Sequence, residues 1–356
     1  MEVPILIVSF VIILAGAELF TNGIEWFGRK LQLAEGAVGS VLAAVGTALP
    51  ETMIPIIAIL FGTGASSHAI GVGAILGAPF MLATLAMFVT GVAVLTVARK
   101  RTTGDMMQVD THVLGHDMRY FWIAYGIAIG AAFLPLEPVW LKWIMAVVLL
   151  GIYAWYVKGH FEADPDVDAE DLAPLRFHRL DRRAHRTDPS APRLRVVNAQ
   201  VIAALALIVI GAIAFVSAVE QLSVTLGVDE VLLALVIAPI ATELPEKFNS
   251  IIWVRGGKDT LAMGNITGAM VFQSTIPTVV ALLFASSAWQ ITEGSYVAFA
   301  SAGIAFAATA AIFLPMIRRG RLRGRSLLVG GLFYLVYLAL VIAVVTGVVG
   351  GPVEAH

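Results

Sequence analysis

Apolar stretches long enough to cross a bilayer recur along this chain. A hydrocarbon core of ~30 Å takes about 20 helical residues. On that ruler ten helices are expected, near residues 3–27, 35–62, 68–98, 119–135, 138–157, 197–223, 229–254, 260–285, 294–316 and 326–349. Hydrophobic residues make up 59% of the 356 and charged residues only 13%, whereas a soluble domain carries about 25% charge. Mean hydropathy is +0.88. This composition excludes a soluble globular domain and a disordered chain. A net charge of −2 and a pI near 6.4 offer no general attraction to nucleic acid. The absence of cysteine excludes disulfides, thiolate metal sites and cysteine nucleophiles. The first apolar run has Glu2 before it and Arg29-Lys30 after it. That is the reverse of a signal peptide, so it reads as the first span.

Lysine and arginine set the expected orientation. The odd-numbered loops hold 21 of the 23 basic residues, and the even-numbered loops hold none. The two exceptions, Lys142 and Lys247, fall inside expected spans. The basic loops are therefore expected in the cytoplasm and both termini outside, in a multi-pass cell-membrane protein. The longest connection, 159–196, opens acidic and turns basic. Asp164, Asp166 and Asp168 have the first spacing of a calcium loop, but Ala169 and Leu175 stand where its glycine and bidentate glutamate belong. A solvated linker is the simpler reading. Most tryptophans, Trp26, Trp122, Trp140, Trp143 and Trp155, fall near span ends, where interfacial anchoring is the default.

The chain also matches itself at an offset of 195 residues: Gly16-Ala17 falls on Gly211-Ala212, Glu25 on Glu220, and Glu35 on Glu230. Thr47 falls on Thr242 and Leu49-Pro50-Glu51 on Leu244-Pro245-Glu246. After a four-residue deletion, Gly73 matches Gly264 and Gly77-Ala78 matches Gly268-Ala269. Five spans per copy make the second copy enter from the opposite side, the inverted-repeat plan of secondary transporters. The expected fold is an all-α polytopic membrane protein of ten transmembrane helices. It comprises a first five-helix repeat (1–158), a cytoplasmic linker (159–196) and a second repeat (197–356), with helices 2, 3, 7 and 8 broken.

Ionisable groups at bilayer depth are functional by default, and the deep carboxylates are Glu51, Glu243 and Glu246, with Glu18 next. Glu51 and Glu246 each follow a proline. Pro50 cannot donate to the Gly46 carbonyl, nor Pro245 to that of Ala241, so oxygens are freed beside each carboxylate. Irregular backbone at this depth belongs to a cavity lining. Two such clusters, each with a threonine, form an all-oxygen set suited to Ca2+. The glycines spaced four apart after each motif permit close helix approach. In the second copy Asn265, Thr267 and Gln273 add polar groups that favour lining the site.

These residues resemble the alpha-repeats of the cation/calcium exchanger superfamily. Gly46-Thr47-Ala48-Leu49-Pro50-Glu51 and Ala241-Thr242-Glu243-Leu244-Pro245-Glu246 are similar to its Gly-Thr-Ser-Leu-Pro-Glu. Gly73 to Ala78 and Gly264 to Ala269 are similar to its Gly-Asn-x-x-Gly-Ser. The resemblance implies that Glu51 and Glu246 are the principal Ca2+ ligands, assisted by Thr47 and Thr242 through carbonyl or hydroxyl, with Gln273 at a downstream polar position. It also implies Ca2+/Na+ exchange. Ala48, Glu243, Ala78 and Ala269 replace motif hydroxyls, and Leu82 replaces the downstream polar residue of the first copy.

Those departures leave the coupling ion open between Na+ and H+. Glu243, three residues before Glu246 and four before Lys247, either holds a proton or pairs with that lysine. Glu18, with Asn22 one turn later, either lines an access path or plays a hydrogen-bonded structural role. The expectation is a secondary antiporter working by alternating access, without a cofactor, nucleic acid or obligatory protein partner. An enzyme is disfavoured, since every histidine falls in a loop or at the end of a span, leaving none to activate a serine, and no pair of aspartates is available. No Gly-x-x-x-x-Gly-Lys loop is present to drive a pump. A cation channel is a remote alternative.

Overall fold

The computed structural model describes residues 2–31, 33, 37–48, 51–52, 55–56, 59–60, 65–162, 172–180, 192–226, 244–292 and 295–345. Nearly all of it is helix. The first helix, α1, runs Glu2–Leu31. A π-helical segment Val38–Ala43 leads into the short α2, Ala44–Thr47. Then come α3 (Ala65–Met81), a second π-helical segment Leu82–Ala86 and α4 (Met87–Val97). They are followed by β1 (Met106–Met107), α5 (Thr111–Gly130) and α6 (Trp140–Phe161). The second half of the chain supplies α7 (Leu194–Leu226), α8 (Leu244–Arg255), α9 (Asp259–Phe284) and α10 (Tyr296–Arg319). It closes with β2 (Leu322–Arg323), α11 (Gly324–Leu327) and α12 (Val329–Val345).

Among the described residues, seven helical stretches are long and apolar enough to cross a membrane: Ile7–Leu31, Gly71–Lys100, Trp140–Phe161, Leu194–Gly211, Asp259–Phe284, Tyr296–Arg319 and Gly324–Ala343. Much of the expected spans 35–62 and 229–254 lies outside the described residues. The expected helix 119–135 is corrected. Here α5 starts at Thr111, because the Asp110 side chain caps it, accepting from His112 N at 2.8 Å and Val113 N at 3.1 Å. An N-cap fixes a helix start whatever the hydropathy of the first turns. Arg119 is therefore helical rather than in a loop, and Asp117 is buried within the helix.

The expected breaks in the third and eighth helices are corrected too. Helix α9 runs unbroken through Gly264, Gly268 and Pro277, and the third is helical from Ala65 to Val97 with only a π segment inserted. In α9 the glycines Gly264 and Gly268 serve close approach to Ser40, described below, whereas a Cβ on Gly73 or Gly77 of the third helix would meet nothing within 4 Å.

Packing divides the chain into two compact units, one of Met1–Ile54 with Ile152–Phe272 and one of Pro55–Gly151 with Gln273–His356. In the first, α1 lies antiparallel along α7. A Cβ on Gly16 would stand 2.9 Å from Ile208 Cγ1, and one on Gly211 would stand 2.8 Å from Ile13 Cγ1. Ile13, Ala17, Phe20, Ala204 and Ile208 fill the seam. Part of the central linker docks on the same pair. Leu175 is fully buried with Trp26 and Val197. Trp26 Nε1 and Asn22 Nδ2 donate to the Ala173 carbonyl at 2.9 and 3.3 Å. Asn22 Oδ1 accepts from Arg176 N at 3.0 Å, and Gln200 Oε1 accepts from Phe177 N at 2.8 Å.

In the second unit, α11 and α12 pack on α4 and the π segment before it. A Cβ on Gly330 would reach Thr84 O at 2.4 Å, and Phe80 meets Tyr337 with ring centroids 4.4 Å apart. The antiparallel pair β1–β2 joins Met106 to Arg323 and Met107 to Leu322, reinforced by Asp105–Arg325 at 3.2 Å. Lys142 is buried, donating to the carbonyls of Ser286 at 2.6 Å and Trp289 at 3.0 Å just past the end of α9. A cation there complements the negative end of the helix dipole.

Candidate functional site

The first motif is built where α2 ends. Gly46 has no room for a side chain: a Cβ would stand 2.4 Å from the Phe20 ring, so α1 passes directly over it. Thr47 is fully buried. Its Oγ1 lies 3.0 Å from the Ala43 carbonyl and 3.1 Å from Asn265 Oδ1, sharing one proton between an intrahelical and an interhelical acceptor. Helical hydrogen bonds continue on either side of Pro50, from Ala48 N to Ala44 O at 3.0 Å and from Thr52 N to Ala48 O at 3.1 Å. Pro50 itself has no N–H to give Gly46.

Glu51 is 7% exposed, and both carboxylate oxygens are shielded from solvent. Holding a carboxylate at such depth is costly unless positive charge compensates it. Its neighbour Thr52 is buried as well and bonds back to the Ala48 carbonyl at 2.6 Å.

Two glycines of α9 admit the backbone that carries this motif. A Cβ on Gly268 would lie 1.9 Å from Ser40 O, and one on Gly264 2.9 Å from Ser40 Oγ. Asn265 and Thr267 are fully buried on the same helix. Thr267 turns back to the Met263 carbonyl at 3.0 Å, while Asn265 meets Thr47. Of the expected residues, the structure thus brings Thr47 and Asn265 into contact. Gln273 is buried on α9 in the second unit, where Pro277 removes the helical donor to its carbonyl.

Glu246 lies in the first turn of α8, its side chain outside the description, and Ala241, Thr242 and Glu243 lie outside the described residues. Lys247 is buried. Glu18 is drawn to the docked linker, with its carboxylate 2.8 Å from Arg176 and 56% exposed.

Residues that the sequence reading did not assign to a site also shape this region. Tyr156 donates to the Ser40 carbonyl at 3.0 Å, Thr21 Oγ1 donates to the Asn249 side chain, and Glu25 gathers Trp253 Nε1 at 2.9 Å and Lys258 Nζ at 3.0 Å. A polar group inside an apolar run was the available signal for Thr21 and Tyr156, whereas Asn249, between Lys247 and Ser250, does not stand out.

The sequence model of the family described as "Sodium/calcium exchanger protein" matches residues 2–159 and 197–346. A curated relative, "Putative antiporter CaxA" of Alkalimonas amylolytica, is 25% identical over 331 residues, covering 89% of this chain and 90% of its own. Among solved structures, the sodium-calcium exchanger NCX_Mj soaked with 100 mM Na+ and 10 mM Sr2+ superposes with a TM-score of 0.68 at 17% identity, covering 95% of this chain and 97% of that one. The same exchanger soaked with 2.5 mM Na+ and 1 mM Sr2+ gives 0.69 at 17% identity over 95% and 97%. The fold is therefore shared with that exchanger. With the family match spanning both halves on either side of the linker, the chain belongs to the sodium/calcium exchanger protein family of membrane exchangers.

Proposed function

We propose that the chain is a secondary antiporter that exports Ca2+ in exchange for Na+, by alternating access around a midplane site made of Glu51 and Glu246. Thr47, Thr242 and the carbonyls of Gly46 and Ala241 assist. The observation that carries the reading is the buried Glu51 carboxylate, one helical turn beyond a Thr47 that is pinned to Asn265. A dication is the natural partner for carboxylates and neutral oxygens held out of water. Asn265, Thr267 and Gln273 supply further oxygens on α9. The reciprocal packing of Gly16 on Ile208 and Gly211 on Ile13 supports the two-fold relation that such a mechanism uses.

The orientation with basic loops and linker inside and both termini outside draws support from two clusters. Within the first unit, the docked linker, the Glu25–Lys258 pair and the basic end of α1 gather together. Within the second, β1–β2 joins two of the basic loops.

A second reading, Ca2+/H+ exchange, is favoured by the missing hydroxyls at Ala48, Ala78 and Ala269, the apolar Leu82 and the added Glu243. Ca2+ uptake by proteoliposomes under separately imposed Na+ and H+ gradients tests both. A Na+-driven flux supports the first reading and an H+-driven flux the second. Uptake that follows voltage alone, with no counter-ion, sinks both in favour of a channel.

A further inference from the structure

The π-helical segment Val38–Ala43 sits immediately before the residues that carry the first motif. Its wide turn is explicit in the Ala44 N–H, which reaches back five residues to the Gly39 carbonyl. A π turn holds one more residue than an α turn. Relaxing it to α-helix would rotate everything that follows by roughly 100°. The facing direction of Thr47 and Glu51 is therefore set by whether this segment stays π-helical.

Three contacts converge on Ser40, in the middle of that segment. Gly264 and Gly268 let α9 approach its backbone until no Cβ fits between them. The Tyr156 phenol donates to the same Ser40 carbonyl at 3.0 Å, with Tyr156 and Ser40 both buried. Wide turns pair their carbonyls less well than α turns, and a donor from a neighbouring helix stabilises the wide form.

We propose that Tyr156 is a positioning residue for cation exchange: by holding the Ser40 carbonyl against the glycine face of α9, it fixes the π turn that aims Thr47 and Glu51. This rests on the reading that Thr47 and Glu51 take the transported cation. Tyr156 touches no cation in this role. Its neighbour Tyr153, which packs on Phe272 with centroids 5.8 Å apart, provides a matched control on the same helix.

The test is Ca2+ transport by purified protein in proteoliposomes, with KM and Vmax separated. Tyr156→Phe removes only the donor, and the expected result is a rise in KM of about three- to tenfold at near wild-type Vmax. Tyr153→Phe should leave both unchanged, and Tyr156→4-aminophenylalanine, which keeps a donor, should restore KM. In a Glu51→Asp background, adding Tyr156→Phe should raise KM by less than the product of the single effects, because both act on the same carboxylate. A Tyr156→Phe protein with lower thermal stability but wild-type KM overturns the proposal, as does strict multiplication of the two effects. If Glu51→Asp itself transports with wild-type KM, the site assignment has failed, an outcome separate from any effect of Tyr156.

Discussion

Gly16 lies against Ile208 so closely that a Cβ would stand 2.9 Å from the isoleucine Cγ1. Exchanging the two copies, 16 for 211 and 208 for 13, yields the companion contact of Gly211 with Ile13 at 2.8 Å. A contact that maps onto its own partner under the sequence offset is what two antiparallel copies of one helix produce. Gly16→Leu and Gly211→Leu should therefore be equivalent insults. Each should destabilise the detergent-solubilised protein by about 1–3 kcal/mol through overpacking. Thermal unfolding of the two variants checks this, and a large effect from only one would mean that the two contacts are not equivalent.

Glu51→Gln and Glu246→Gln should each abolish divalent transport while the protein remains monodisperse with near wild-type thermal stability. Glu51 supplies a carboxylate shielded from water, and Glu246 holds the matching place in the second motif. Wild-type Ca2+ flux in either purified variant would refute the assigned site.

Sidedness can be read by chemical labelling, since the chain contains no cysteine of its own. Single cysteines at positions 2 and 354 should react with an impermeant maleimide added to intact cells, and one at position 185 should not. The opposite pattern would invert the orientation.

Glu243 decides between the two coupling schemes. If Glu243 is charged alongside Glu51 and Glu246 of the proposed site, three negative charges face one dication, and one of them must be neutralised by a proton or by Lys247. In the proton scheme, flux depends steeply on pH and Glu243→Ser flattens the profile. In the ion-pair scheme, Glu243→Gln weakens Ca2+ binding and Lys247→Met recovers part of the loss. Coincident pH profiles for wild type, both single variants of Glu243 and the double would make Glu243 a bystander.

Asn22 makes hydrogen bonds to the Ala173 carbonyl, the Arg176 amide and Gln200. Asn22→Leu should release the docked linker, seen as faster tryptic cleavage after Arg176 and Arg179. Unchanged digestion would mean that the burial of Leu175 alone holds the segment.

The helical membrane architecture was legible because charge depletion and span length leave a chain few alternatives. Thr47, Glu51 and Asn265 were legible because polar groups in an apolar run stand out. Other features were not. The start of α5 depends on one aspartate cap, which hydropathy does not register. The close approach expected of the motif glycines is met in α9 by Gly264 and Gly268 against Ser40, but the break expected in that helix is not there, since helical structure runs from Asp259 to Phe284. The π turn at Val38–Ala43 depends on a carbonyl meeting a phenol more than a hundred residues away, and no local pattern encodes that. The docked linker was read as solvated because its composition is charged. Its anchors, however, come mainly from side chains of α1 and α7 that bind linker backbone groups.

That docking changes what the linker can do as a tether. With residues 172–180 fastened to α1 and α7, the end of α6 is joined to the fastened stretch by residues 163–171 alone. Those nine residues reach at most about 30 Å when fully extended. A chain cut within 181–191 would leave the fastened stretch on the first fragment and Gln200, one of its anchors, on the second. The segment would then serve as a built-in recognition peptide, allowing separately made halves to find each other.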